Sequence, residues 1–306
     1  MLEHPVAADA SAGGCARPDG HAMNLAFAAI ALAVVMHVTW NLLARRADPR
    51  SDFLWWGLAG HLVLIGPWSV WALVRDVQWS PGLVLALAVT AVANSVYFLS
   101  LRAAYRRAPV ARVYPLARSS PLLIAVWSVL FFGESISPPG WAGILVSVAG
   151  LLWLASTARS GEPRAALPWA LLAALATSVY SLSNKAAVAD LPGSASLLGW
   201  VSVAFAASWC ALSVANLRAT GRLVPRMRPP WRPMLAASVC IGLGYAPVIH
   251  ALKYLPAAYV LAFLNLGLVL ATLLSIFAFG ERAHWRTRLA AVTVVAAGIV
   301  CVGFAR

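Results

Sequence analysis

Acidic side chains are scarce in this sequence. Only 10 of its 306 residues are Asp or Glu, and charged residues of both signs make up 11%. Soluble domains carry roughly 25%, so water is not this chain's main solvent. None of the ten lies inside the long apolar segments described below. A proton-coupled carrier of cationic drugs, which needs a buried carboxylate, is therefore disfavoured, and no pair of catalytic carboxylates is available. No P-loop, HExxH or nucleophile elbow occurs either, which argues against ATP-driven transport and the familiar hydrolases. No enzymatic activity is expected. Cysteines number four. Cys15 lies near the N-terminus and Cys210, Cys240 and Cys301 fall in three different apolar segments, without the close pairing of a zinc or redox motif. They read as small packing residues, and neither a metal nor a cofactor is expected. Residues 1–22 lack the basic start and apolar run of a signal peptide. They read as a disordered tail, with Met23 an alternative start.

Apolar residues are abundant, at 61% with a mean hydropathy of +0.79. A bilayer core about 30 Å thick needs about 20 apolar helical residues to cross. Residues 20–44, 53–74, 77–101, 135–158, 165–184, 191–217, 233–252 and 254–280 contain no charged side chain. Residues 289–305 are slightly short, and 112–134 would make a tenth span interrupted only by Arg118. Trp55, Trp56, Trp68 and Trp71 bracket one segment and Trp141 and Trp153 another, as rings that prefer the headgroup region do. The expectation is an all-α integral membrane protein with ten transmembrane helices.

The formal charge of +13 does not indicate nucleic acid, because the basic residues sit between spans and not on one patch. Seventeen Lys and Arg fall in the odd-numbered connections, against five in the termini and even-numbered connections. By the positive-inside bias the odd connections are cytoplasmic and both termini lie outside, in a multi-pass plasma membrane, the inner one of a bacterium. Expected partners are the lipid bilayer and a small-molecule solute, with a homodimer left open and nucleic acid excluded.

An internal repeat organises the spans. A shift of 147 residues lays AYRRAPVARV (104–113) on ALKYLPAAYV (251–260), pairs Ser128 with Ser275, and superimposes the FGE of 132–134 on that of 279–281. A shift of 140 sets WNLLAR (40–45) on YSLSNK (180–185), with Arg45 opposite Lys185. Each half holds five spans. Five being odd, the second half enters the membrane upside down, giving two inverted five-helix repeats of the kind transporters use for alternating access. The repeats are placed at 23–157 and 167–306, joined by a linker at 158–166.

Candidate solute-binding residues are the polar side chains within spans. Tyr114, Pro115, Arg118 and Pro121 share one face of the fourth span. The two prolines should disturb that helix where Ser119 and Ser120 can satisfy loosened backbone. Arg118 costs on the order of 3 kcal/mol at the bilayer centre on insertion scales, which favours the bundle interior. It also lies only six residues from Arg112, close enough to snorkel to headgroups. Its repeat counterpart is Asn265, with Ala262 for Pro115 and Leu268 for Pro121, so the helix does not require those residues. His37, Trp40 and Asn41 share a first-span stretch, and His37 with Asn41 is an i, i+4 pair. Asn94 and Tyr97 in the third span, Tyr180 and Asn184 in the sixth, and Tyr245 in the eighth complete the set. Each could instead hold helices together. Lys185 reads as an interface anchor, His61 and His250 as packed, and Glu134 and Glu281 as capping or gating residues at span ends.

HVTWN (37–41), AYRRAPVARVYPLARSSPLL (104–123), the paired FGE, GILVSVAG and VTVVAAG together resemble the EamA-like members of the drug/metabolite transporter superfamily, over nearly everything after Met23. The resemblance implies ten helices in two repeats around a central cavity and transport of a small metabolite without ATP. It names no solute. Many relatives have a polar Arg-Glu-Thr-Ser-like stretch in the ninth span, where this chain has LAFLNLGL (261–268). With cationic groups but no carboxylate inside the spans, a polar, amino-acid-like or carboxylate-bearing solute is expected. A flippase for a lipid-linked headgroup is the alternative.

Overall fold

The computed structural model describes residues 20–48, 51–158 and 163–305, without the side chains of Arg45 and Pro163. Most of the expected N-terminal tail, with Cys15 and Met1, lies outside the described residues. The described part is helical throughout, with α1 Gly20–Arg46, α2 Phe53–Leu64, α3 Gly66–Asp76, α4 Pro81–Tyr105, α5 Val110–Ala117, α6 Ser120–Phe132 and α7 Pro138–Ser156 in the first half. The second half holds α8 Pro163–Ala187, α9 Ser194–Thr220, α10 Trp231–Ala251, α11 Ala257–Leu264, α12 Leu266–Phe277 and α13 Trp285–Phe304. Near-continuous helix forms spans Val110–Phe132 and Ala257–Phe277, while α2 and α3 make one span bent by 61°, for ten in all among the described residues.

Local chemistry sets the ends of these helices. Ser80 caps α4, its hydroxyl accepting from the Leu83 amide at 3.1 Å with Pro81 in the first turn. The bend of the second span falls at Ile65–Gly66, where Pro67 has no amide to offer the Val63 carbonyl. The sequence reading took 53–74 as one unbroken span and passed over this Gly-Pro. Gly133 and Gly280, the glycines of the two FGE motifs, both adopt left-handed backbone (φ 62° and 67°), and each following glutamate donates its amide to the repeat-related serine carbonyl, Glu134 to Ser128 and Glu281 to Ser275.

Neighbour relations obey the repeat. Exchanging each span with its partner in the other half turns the α4·α8 contact into α10·α1, α4·α9 into α10·α2, and α5/α6·α8 into α11/α12·α1, while α7·α13 and α3·α9 map onto themselves. Glycine permits the α7·α13 crossing: a Cβ on Gly298 would stand 2.6 Å from the Gly143 carbonyl oxygen, and one on Gly143 would stand 2.7 Å from the Gly298 carbonyl oxygen. Small residues allow such backbone approach in membranes, where packing rather than hydrophobicity joins helices. The outer surface is apolar, with Val63, Val74, Leu85, Leu130, Phe131 and Phe277 exposed. Water would not tolerate such a surface, and lipid does. Cys210 and Cys301 are exposed with these residues and do not pack inside the bundle, which corrects their reading as packing residues.

A candidate solute site between the halves

Arg118 sits where the fourth span is interrupted. Its backbone (φ −87°, ψ 5°) and that of Ser119 (φ −77°, ψ 1°) separate α5 from α6. Ser119 Oγ donates to the Leu116 carbonyl at 2.7 Å, satisfying an acceptor at the break. The ninth span is interrupted at the related place, Asn265 lying between α11 and α12 without either proline. The interruption therefore belongs to the twofold frame and is not caused by Pro115 and Pro121 alone. At this point the halves touch, with Asn265 Nδ2 donating to the Arg118 carbonyl at 3.4 Å. A residue thus meets its own repeat counterpart at the centre of the bundle.

Around Arg118 is a cavity lined by His37, Asn41, Tyr114, Pro115 and Arg118, with Val38, Leu42, Leu154, Leu264 and Leu268 supplying apolar wall and Thr157, Thr272 and Arg288 its far end. Its volume is about 60 Å³, room for a few waters or a very small group. Asn41 Nδ2 donates to the His37 carbonyl at 2.7 Å and to Tyr114 Oη at 2.9 Å, joining α1 to α5. The Arg118 guanidinium lies 5.7 Å from the Tyr114 ring centroid. Arg118 is only 9% exposed and has no carboxylate partner among the described residues. Its Nε, Asn41 Oδ1 and Asn265 Oδ1 are buried without hydrogen-bond partners. Native interiors rarely leave such groups unpaired; Arg118 and Asn41 offer the cavity a cationic donor and an amide acceptor, whereas Asn265 and Ser119 do not line it.

A wider vestibule, about 1090 Å³, opens beside this cavity and shares Val110 and Ala111 with it. Its walls come from the odd connections and carry Arg102, Arg106, Arg107 and Arg226 against Asp48 and Asp52. Within it Arg102 and Asp52 form an ion pair at 2.7 Å with both side chains 8% exposed. Arg102 also donates to the Leu212 carbonyl (3.3 Å) and to Asn216 Oδ1 (3.0 Å) on α9. Burial pushes the Asp52 carboxyl above its usual range, and the Arg102 and Arg106 charges oppose that shift. The sequence reading placed every Asp and Glu outside the spans and singled out neither Asp52 nor Arg102. Its partner is fifty residues away, and nothing local announces the pairing.

At the opposite, even-connection end two lysines tie helix ends together. Lys185 Nζ donates to the carbonyls of Leu252 (2.8 Å) and Leu255 (3.0 Å) and lies 3.9 Å from Glu134 Oε1. Lys253 Nζ donates to the Leu191 carbonyl at 2.7 Å. Leu191, Leu252, Leu255, Ala257 and Ala258 are buried beneath.

The remaining candidates divide into two groups. Tyr97, Tyr180 and Tyr245 stack edge to face in a row at 5.8 and 5.7 Å, and Trp40 packs edge-on to Tyr114 at 6.3 Å. None of the four lines either cavity. Asn94 and Asn184 act as ties between helices. Asn94 Oδ1 accepts from Ser208 (3.0 Å), and Asn184 Oδ1 accepts from Thr90 (3.0 Å) and Trp200 Nε1 (2.8 Å) while its Nδ2 donates to Tyr245 Oη (3.0 Å). His61, bonded to Ser202 Oγ at 3.0 Å, is packed. Sequence reasoning missed Thr157, Thr272 and Arg288 of the cavity and Arg102 and Asp52 of the vestibule.

Residues 24–156 match the model of the EamA-like transporter family. An uncharacterized transporter from the cobO 3' region of a Sinorhizobium species is 30% identical over 98 residues, which are 32% of this chain and 66% of that relative. A solved crystal structure superposes with a TM-score of 0.67 at 21% identity, over 90% of this chain and 98% of its own, a likeness of fold. The first half of this chain is thus similar to the EamA-like transporter family, and its inverted second copy completes a ten-span bundle.

Proposed function

We propose that the protein is a secondary transporter of a small polar metabolite, amino-acid-like or otherwise carboxylate-bearing, and that it works by alternating access between its two halves. The observation that carries this reading is Arg118, buried on the cavity wall at the junction of the halves and lacking a carboxylate partner among the described residues. A guanidinium fork suits a carboxylate geometrically, and the cationic vestibule would draw an anion toward it. Nothing in this arrangement calls for ATP or for catalysis. Purified protein in liposomes is expected to exchange labelled amino acids or small carboxylates across the membrane without nucleotide. Flux of purely cationic solutes alone would refute the reading.

The vestibule walls are the arginine-rich odd connections, so the reading places them in the cytoplasm of a bacterial inner membrane and the termini outside. A reporter fused after Arg306 should be active only when it matures outside the cytoplasm. Activity of a cytoplasm-only reporter at that position would reverse the orientation.

A further inference from the structure

The polar groups of the Arg118 cavity divide into donors and acceptors. Asn41 Nδ2 is spent, because it donates to the His37 carbonyl (2.7 Å) and to Tyr114 Oη (2.9 Å), and a carbonyl can only accept. That fixes the orientation of the amide and leaves Oδ1 as an acceptor, buried and without a hydrogen-bond partner. His37 Nδ1 meets the Ala33 carbonyl at 2.8 Å, so Nδ1 carries the ring proton and Nε2 of the neutral imidazole is a second acceptor. Tyr114 Oη accepts from Asn41 and keeps its own proton to give. Arg118 is the cationic donor, its Nε buried without a partner. The other charged residue of the lining, Arg288, is engaged by Ser275 Oγ (2.6 Å) and the Glu281 carboxylate (3.6 Å). The cavity therefore holds one cation that no carboxylate balances among the described residues, together with neutral acceptors.

We propose that the solute bound here is a short 2-hydroxy carboxylate, its carboxylate taken by Arg118 and Tyr114 and its hydroxyl proton by Asn41 Oδ1. The inference rests on the carboxylate reading of Arg118 and narrows it. A plain carboxylate would leave Asn41 Oδ1 buried and unsatisfied, a cost with nothing to offset it. An amino acid would satisfy that oxygen, but its ammonium would enter a site whose one unbalanced charge among the described residues is already a cation. A hydroxy acid sets one negative charge against one positive and offers the missing proton. The cavity volume of about 60 Å³ limits the skeleton to about two or three carbons.

The test uses acids that share one carbon skeleton and differ only at the second carbon: lactate with a hydroxyl, propionate with a hydrogen and alanine with an ammonium. Their binding to the purified protein in detergent is measured by calorimetry. Lactate should bind at least about tenfold more tightly than either of the others, since a site built to bond a hydroxyl rejects the analogue that lacks it. Asn41→Leu removes the acceptor and should lower the lactate-to-propionate ratio by about tenfold. Asn41→Asp turns the acceptor into a carboxylate, so the preference should pass from lactate to alanine by about tenfold, a switch that lost packing does not produce. Each variant is compared as monodisperse protein with a thermal unfolding curve, and the wild-type series decides by itself should a variant fail to fold. Propionate or alanine binding as tightly as lactate overturns the proposal, and loss of that binding in Arg118→Ala would leave the carboxylate reading standing. Binding of none of the three overturns it as well, while flux of a larger carboxylate would keep that reading. A folded Asn41→Asp protein that still prefers lactate overturns it too.

Discussion

Replacing Arg118 with alanine is expected to weaken binding of the transported anion by roughly 100-fold, the loss of one or two charge-assisted hydrogen bonds worth about 1.5–3 kcal/mol each. Folding and insertion should survive, because the contact at the interruption is made by the Arg118 carbonyl, which any residue supplies to Asn265, and because the guanidinium leaves no buried carboxylate behind among the described residues. Arg118→Lys should recover part of the affinity, since a point charge replaces a planar fork. The measurement is binding of an identified solute to purified wild type and variants by calorimetry or thermal shift, a bound solute raising stability by mass action. Equal affinities in wild type and Arg118→Ala would refute the anion site.

A second large effect is expected at Asp52. Asp52→Ala leaves the Arg102 charge in a site where the side chain is only 8% exposed. Breaking a buried pair from one side costs about 3–5 kcal/mol, whereas replacing both partners by apolar groups is often neutral. Remaining bonds from Arg102 to Leu212 and Asn216 and water in the vestibule favour the lower figure. In detergent the melting temperature of Asp52→Ala should fall by about 10 °C, and Asp52→Leu with Arg102→Met should recover most of that loss. A single variant as stable as wild type would show that the pair holds nothing together.

The sequence made the span count, the inversion and the special character of the fourth span legible because each leaves a local or periodic trace: runs without charge, basic connections, and FGE and Pro motifs at one offset. It located His37, Asn41, Tyr114 and Arg118, which the structure brings to one cavity, because polar groups are conspicuous in apolar spans. What a polar residue does there depends on distant partners. Asn94 and Asn184 looked like site residues, but Ser208, Thr90, Trp200 and Tyr245 use their bonding capacity. Asp52, outside every expected span, drew no attention in the sequence, and only the fold brings Arg102 beside it. The helix interruption was ascribed to prolines, and the ninth span, interrupted at the related place without either proline, shows that they are not its sole cause.

The bond between Asn265 and the Arg118 backbone has a consequence for the energetics of a working cycle. Two identical halves exchanging roles would give two end states of equal free energy, and the empty protein would spend half its time in each. Here the frame is shared but the side chains on either side of its centre are an arginine and an asparagine. On the proposed alternating-access reading the end states of the empty protein are therefore unequal, and the chain would have a preferred side on which to wait for cargo. That preference sets how steeply flux depends on solute concentration on each face, while net accumulation still requires an external gradient.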